Sequence, residues 1–443
     1  MFHICFAANE NYIKYTAVLI TSIIKSTDTS KKFKDFFETN THAQNAGGGA
    51  SLASYKKRTY NVLHNDEKRE GYVFHLLIDK ISDISHLKLN NFINKELNKI
   101  YPCEIRIHIC ENLPHYANLP TFFRLFYSQF MPLNVRLCLY LDSDMLVRQD
   151  LRTLFALDLD NKIAGVVKDN VFVIKKAHKK TRLFKDFYFN AGFLLLNVDE
   201  WRKQNTLDKC LKMLTCYKEK VIFADQDALN FAISKDKALV LPCGYNLFAG
   251  IYGRAVCNDE GRKFAFDYTR AEMNLALTNP DIWHFVGVDK PWNNPYTFVD
   301  SKGKALGLFW WDIALQTPYF SDDDFTAMQK ATLPEFAFSN AVVSLMLQHS
   351  KSFFGYLTMP FFVYKAFKDK EQGNFKTENH HTAFTPNEQN LVCMLFGAAS
   401  RAYKRRRKGR LLDLPHRVWR LKKHFERFGS AKIISSAKNL GFI

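Results

Sequence analysis

Through the first 240 residues, short apolar runs alternate with stretches in which apolar positions recur every three or four residues. His3–Ala8, Tyr72–Asp79, Glu104–Ile109, Arg136–Leu141, Ile163–Val167, Phe193–Asn197 and Ala238–Leu241 read as strands, because each is a brief run of β-branched, aromatic or aliphatic residues. Between them, Asn11–Lys25 places Tyr12, Tyr15, Leu19 and Ile23 on one helical face, and helices are also expected around Ser85–Lys99 and Thr121–Phe130. Strand–helix alternation of this kind predicts an α/β fold with a mainly parallel sheet.

Two regions depart from the pattern. Residues 28–71 are polar and Lys-rich with a Gly run at 47–49, and read as an insertion or mobile loop. After about residue 303 strand patterns fade and amphipathic helices such as Glu335–Gln348 take over. The expected organisation is a catalytic domain over 1–303, a helical region over 304–400 and a basic tail over 401–443.

Charge sharpens that division. The net charge is +18, and residues 401–443 hold 14 basic against 2 acidic residues, so two-thirds of the excess lies in the tail. There Leu414, Val418, Leu421 and Phe425 fall at helical spacing among Lys and Arg, with Trp419 on an adjoining face. That pattern suits a helix lying on an anionic membrane surface. Basic clusters also bind nucleic acid, but no recognition module accompanies this one, so none is expected as a partner. The nine cysteines include no CxxC pair, which argues against a zinc site or disulfide frame and for reduced, cytoplasmic thiols. The opening residues show no secretory signal, and no run is long enough to span a bilayer.

Candidate chemistry begins at Arg136–Val147, where an apolar strand ends in Asp142-Ser143-Asp144. Ligands of open α/β sheets bind at the carboxyl ends of strands, and residues two apart on an extended segment face the same side. The two carboxylates therefore suit a hard divalent cation. Asp-x-Asp also occurs at 158/160, 225/227 and 322/324, but only the first copy ends a strongly apolar run. His284 offers a nitrogen ligand, and Lys290 a positive charge for a diphosphate. Taken singly, a core histidine and a surface lysine are the plainer readings. Phe189–Gly192 presents an Asn beside small residues, and Ala224–Asn230 reads as a helix start whose Asp225 and Asp227 could equally be capping groups.

In this order FAANENY, TFFRL, YLDSDMLV, FNAGFLLLN, ADQDALN and HFVGVDKPW, spanning residues 2–292, resemble the family 8 glycosyltransferases, particularly the bacterial lipopolysaccharide galactosyl- and glucosyltransferases. The resemblance implies a type-A glycosyltransferase fold, a UDP-hexose donor, Mn²⁺ or Mg²⁺ and retention at the anomeric carbon. It implies that Ala7, Asn9 and Asn11 line the uridine pocket and that Arg124 reaches the donor. Asp142, Asp144 and His284 would hold the metal, and Gly287 and Lys290 the diphosphate. Asn190, Asp225 and Gln226 would contact the transferred sugar, Asp225 and Gln226 as the catalytic residues with Gln226 on the face opposite the leaving UDP, and Asp169 would be a further sugar contact. The family often has Asp where this chain has Asn9, which changes the hydrogen-bond pattern offered to uracil. A cytoplasmic enzyme with a membrane-surface tail suits a lipid-linked saccharide acceptor. The other reading of these motifs is a catalytically weak carbohydrate- or nucleotide-binding protein on the same fold.

Overall fold

The computed structural model describes the chain except for residues 38–51, 112, 114–119, 171–172, 174–176, 180–183, 185–186, 252–267, 288–289, 294, 296–297, 299–304, 376–388, 405, 407–408, 420–421 and 423–443. The chain divides into two compact units. The first comprises Met1–Phe248, Lys263–His284 and Thr317–Tyr319, and the second Ala249–Arg262, Phe285–Gln316 and Phe320–Ile443. The division thus falls just after His284, earlier than the change of pattern near residue 303.

The first unit is built on a seven-stranded sheet. Its strands are β1 (Phe2–Ala7), β2 (Tyr72–Ile78), β3 (Cys103–Ile109), β4 (Leu137–Leu141), β6 (Ala164–Lys168), β7 (Phe189–Asn197) and β8 (Ala238–Val240), in the order β3-β2-β1-β4-β7-β6-β8. Four neighbouring pairs run parallel, and β7 runs antiparallel to both β4 and β6. All seven residues of β2 and the first eight of β7 are buried, as strands covered on both faces should be. A second sheet of three short strands has the order β5 (Met145–Val147), β10 (Ile282–His284) and β9 (Leu247–Phe248). These three are too short to show a period, and pattern alone does not predict them.

Every predicted strand is present, with ends shifted by up to four residues. The first helix, α1, spans Ile13–Ser26. The expected 85–99 helix is regular only over Asp83–Asn91, and the 121–130 segment breaks into three short turns at Pro120–Phe123, Arg124–Phe126 and Tyr127–Phe130. Segment 28–71 is less loop-like than its composition predicts, since Phe33, Leu52 and Leu63 are buried. The wholly buried Arg152 guanidinium ties the ends of that segment together. It bonds the carbonyls of Asp28 (2.6 Å) and Lys31 (3.0 Å) near one end, Glu70 (3.1 Å) at the other, and Asp150 (2.6 Å) beside it.

The second unit is helical. Leu306–Leu315, Asp322–His349, Phe353–Glu371 (α2 hereafter) and Gln389–Lys404 (α3) are its longer helices among the described residues, residues 414–419 are helical as well, and Phe338, Val342, Met346, Met359, Val363, Leu395 and Ala399 form its core. α3 runs through the expected boundary at residue 400. Leu414 and Val418, which periodicity assigned to a membrane, are fully buried in this core. Trp419 is exposed, and Leu421 and Phe425 lie outside the described residues. No helix among the described residues is long and apolar enough to cross a membrane.

Candidate metal and sugar site

The site lies in the first unit where β4 ends. Leaving Leu141, the chain places Asp142 beside β7, with its N–H bonded to the Gly192 carbonyl (2.9 Å). Ser143 turns inward and accepts from the Thr16 hydroxyl on α1 (2.8 Å), which anchors the loop between the carboxylates. Asp144 precedes β5, whose Met145 pairs with His284 at the end of β10. Two sheets thus deliver three ligands to one point. One donor atom each from Asp142, Asp144 and His284 lies within 4.8 Å of the others, and His284 Nε2 is 3.1 Å from Asp144 Oδ1 and 3.7 Å from Asp142 Oδ2.

A chain of amides fixes how the imidazole faces the carboxylates. The Ala191 N–H donates to Gln226 Oε1 (3.1 Å), which locates that oxygen, and Gln226 Nε2 donates to Asp169 Oδ2 (3.0 Å). The Gly192 N–H locates Asn190 Oδ1 in the same way (3.0 Å), and Asn190 Nδ2 donates to Gln226 Oε1 (3.0 Å). Asn246 Nδ2 must then donate to Asn190 Oδ1 (3.0 Å), leaving Asn246 Oδ1 against His284 Nδ1 at 2.8 Å. An oxygen there only accepts, so Nδ1 carries a hydrogen and the ring turns its Nε2 edge toward Asp142 and Asp144. Two carboxylates brought this close repel one another, and positive charge beside them offsets that. Two carboxylates and one imidazole suit a divalent metal, and an outer partner such as Asn246 is what a metal-binding histidine ordinarily has.

Glycine at 192 follows from the crowding. A Cβ there would stand 2.5 Å from His284 Cε1 and 2.7 Å from Asp142 Oδ2. No other residue fits without displacing two of the three ligands.

Arg124 lies under the carboxylates, buried and stacked on Tyr140. Its Nη2 pairs with Asp142 Oδ1 (2.8 Å), Nε with Asp225 Oδ2 (3.0 Å), and Nη1 donates to the Ala191 carbonyl (2.6 Å). Burial acts to lower its pKa, and the adjoining Asp142 and Asp225 more than offset that and raise it. The resemblance implies that Arg124 reaches the donor; in the structure its guanidinium organises the acids of the site. Asp225 also accepts from the Thr121 hydroxyl (2.7 Å), and burial raises its pKa against the opposing pull of Arg124. Asp169 is likewise raised by burial, with Asn170 and Gln226 hydrogen bonds acting the other way.

The two acids of Ala224–Asn230 separate in role. Asp227 accepts from the N–H groups of Ile222 (2.5 Å) and Phe223 (2.8 Å) and from the Tyr188 hydroxyl (2.6 Å), so it builds the helix start. Asp225 and Gln226 belong to the site. They are held there by a tight turn in which Ala224 adopts φ +48° and ψ −121°, a conformation that favours glycine.

Ala7, Asn9 and Asn11 sit at and just beyond the carboxyl end of β1, the sheet edge that also carries Asp142. Asn9 Oδ1 caps the following turn by accepting from the Tyr12 N–H (3.2 Å). Gly287 and Lys290 belong to the second unit. Gly287 has φ +105°, which favours glycine, and Lys290 Nζ donates to the Phe285 carbonyl (2.8 Å). Asn246 is the site residue that sequence reasoning missed. It belongs to none of the six motifs, and only the pairing of β9 with β10 brings it to His284.

The chain is 26% identical over 262 residues to a lipopolysaccharide 1,2-glucosyltransferase of Escherichia coli, covering 56% of this chain and 70% of that one. It is 26% identical over 267 residues to a lipopolysaccharide 1,3-galactosyltransferase of Salmonella typhimurium, covering 56% and 69%. It is 28% identical over 225 residues to the glycosyltransferase GlyB of Streptococcus pneumoniae, and spans only 50% of that protein. Among solved structures it shares its fold with the galactosyltransferase LgtC in complex with donor and acceptor sugar analogs, with a TM-score of 0.50 at 19% identity over 74% of this chain and all of that one. The type-A glycosyltransferase fold expected from the motifs is therefore the fold present. The family model for glycosyl transferase family 8 matches residues 3–295, well over half the chain. The chain belongs to glycosyl transferase family 8.

Proposed function

We propose that this protein transfers a hexose, glucose or galactose, from a UDP-sugar to a lipopolysaccharide-type saccharide, with retention at the anomeric carbon. The observation that carries the reading is the convergence of Asp142, Asp144 and His284, with Nε2 turned toward the carboxylates, at the carboxyl end of the central strand. The names of the Escherichia coli and Salmonella relatives support the substrate class.

A Mn²⁺ or Mg²⁺ ion held by those three residues would supply positive charge beside the diphosphate. The rest falls to the chain's own groups. Ala7, Asn9 and Asn11 would receive the uridine, and Gly287 and Lys290 the diphosphate. Asn190, Asp169, Asp225 and Gln226 would bind the hexose. Neither Asp225 nor Gln226 is well suited to attack the anomeric carbon. The Asp225 carboxylate is buried and engaged by Thr121 and Arg124, and the Gln226 amide is neutral and held at both ends. Front-face transfer fits these restraints. The bond from the anomeric carbon to the phosphate oxygen breaks, the acceptor hydroxyl bonds to the same face, and its proton passes to a β-phosphate oxygen. The acceptor, in this reading, is lipid-linked and presented at an anionic membrane surface.

A panel of UDP-hexoses with Mn²⁺, read as UDP release with and without lipopolysaccharide acceptors, tests this directly. One UDP-hexose should be turned over faster when acceptor is present. Indifference to every UDP-sugar would refute the proposal. So would a hexosyl adduct trapped on Asp225 for the front-face route.

A further inference from the structure

In the second unit, the helix α2 is apolar on two sides. One side, carrying Met359, Val363 and Ala366, is buried in the unit's core. On the other, Phe353, Phe354, Leu357 and Phe361 stand 74%, 78%, 60% and 64% exposed. Phe353, Leu357 and Phe361 are four residues apart, so they form one row about 12 Å long on the helix surface. Isolated exposed apolar residues are ordinary; four large ones on two and a half turns mark an interaction surface.

Charge identifies the occupant. The row continues into exposed Lys365, with exposed Lys351 and Lys368 beyond either end, and from Lys351 to Lys368 there is no acidic residue. A second copy of the same face would set these lysines against their own kind, which argues against self-association. An anionic bilayer satisfies both features, because apolar side chains enter the headgroup boundary while lysines meet lipid phosphates. The same unit contains the most basic stretch of the chain, residues 401–443 with 14 basic against 2 acidic residues. It also exposes Leu412 and Trp419, whereas Leu414 and Val418 of that stretch are buried and unavailable to lipid.

We propose that the Phe353, Phe354, Leu357 and Phe361 face of α2 is a membrane-docking surface for anionic phospholipid. The purpose assigned to docking, access to a lipid-linked acceptor, rests on the activity proposed above; the docking itself is measured separately.

The test is co-sedimentation of the full chain with vesicles of phosphatidylethanolamine and phosphatidylglycerol, against vesicles of phosphatidylcholine. Wild type should sediment with the anionic vesicles, and less so as salt rises. Combined Phe353→Ser, Phe354→Ser, Leu357→Ser and Phe361→Ser should lower the partition coefficient about tenfold or more. A second variant, Lys351→Glu with Lys365→Glu and Lys368→Glu, should lose the preference for anionic lipid. UDP release without acceptor should be unchanged in both, so failed activity and failed docking are told apart. Equal binding by wild type and the serine variant overturns the proposal, as does failure of wild type to bind anionic vesicles. Light scattering supplies a third contrary result: conversion of an oligomer to a monomer by the serine variant, with vesicle binding intact, would make the face a protein interface.

Discussion

Asn246 accepts a 2.8 Å hydrogen bond from His284 Nδ1, and the direction of that bond is set two amides away, where the Gly192 N–H locates the Asn190 oxygen. The ring is thereby committed to offering Nε2 to the carboxylates. Replacing Asn246 by Ala removes the acceptor and frees the other tautomer, and should weaken Mn²⁺ binding about 10- to 100-fold. Asn246→Asp keeps an acceptor against Nδ1 but sets an oxygen against Asn190 Oδ1 where Asn246 donates, so it should recover only part of the affinity. Titration calorimetry on folded protein reads both. Equal losses in the two variants would mean that the acceptor against Nδ1 does not set the affinity.

Gly192 makes a stricter demand. Gly192→Ala would place a methyl carbon against His284 and Asp142 at distances no Cβ tolerates, and should abolish Mn²⁺ binding. Because the ligand side chains can move aside, the cost to folding should be only about 1–3 kcal/mol. A urea titration beside the metal titration checks both halves. Retained Mn²⁺ affinity would show that the three ligands are not held as described.

Ala224 adopts a backbone conformation at φ +48° that glycine takes without strain. Ala224→Gly should therefore stabilise the fold by about 1 kcal/mol, despite the entropy a glycine adds to the unfolded chain. The shift of the urea midpoint gives the sign. A loss of stability would mean that the methyl group packs better than the backbone strains.

Acid should unfold the first unit through a row of imidazoles. His3, His75 and His108 stack across β1, β2 and β3, with His75 bonded to His3 at 2.9 Å and to His108 at 3.0 Å. Burial is the main cause, and it pushes His3 down to about 4 with help from the N-terminal ammonium and Arg106, pushes His75 down to about 2 with help from His3, His108 and Arg106, and lowers His108 with help from Arg106. An unfolded histidine titrates near 6.5, so below that pH the unfolded chain binds more protons than the folded one. Stability contributed by the neutral ladder is present above about pH 6.5 and is lost as pH falls toward 4. His75→Phe should flatten the decline of the urea midpoint between pH 7 and pH 5. Parallel declines in wild type and variant would assign acid sensitivity elsewhere.

Much of the site was legible because its chemistry is concentrated in local strings. An apolar strand ending in Asp142-Ser143-Asp144 announces itself, and the order of six motifs identifies the fold that follows. Asn246 left no such mark, since its function arises from the pairing of β9 with β10, and a two-residue strand has no period to read. The crowding that requires Gly192 depends on side chains from β10 and the β4 end, distant in sequence. Asp225 and Asp227 could not be separated by spacing, because which one faces the site is decided by the turn at Ala224. The tail failed differently. Helical spacing correctly grouped Leu414 with Val418, but periodicity shows that a face is apolar and not what covers it, and here the core of the second unit does. The exposed row on α2 was hidden within a segment apolar on both sides.

Asp142, Asp144 and His284 are proposed to bind one divalent ion on which hexose transfer from a UDP-sugar depends. UDP release should be measured with the preferred UDP-hexose and acceptor, with and without chelator, in wild type and Asp142→Asn, alongside a Mn²⁺ titration. The prediction is one Mn²⁺ per wild-type chain, activity abolished by chelator and restored by Mn²⁺, and both binding and activity lost in a folded Asp142→Asn protein. Undiminished activity in chelator, or an Asp142→Asn protein as active as wild type, would contradict it.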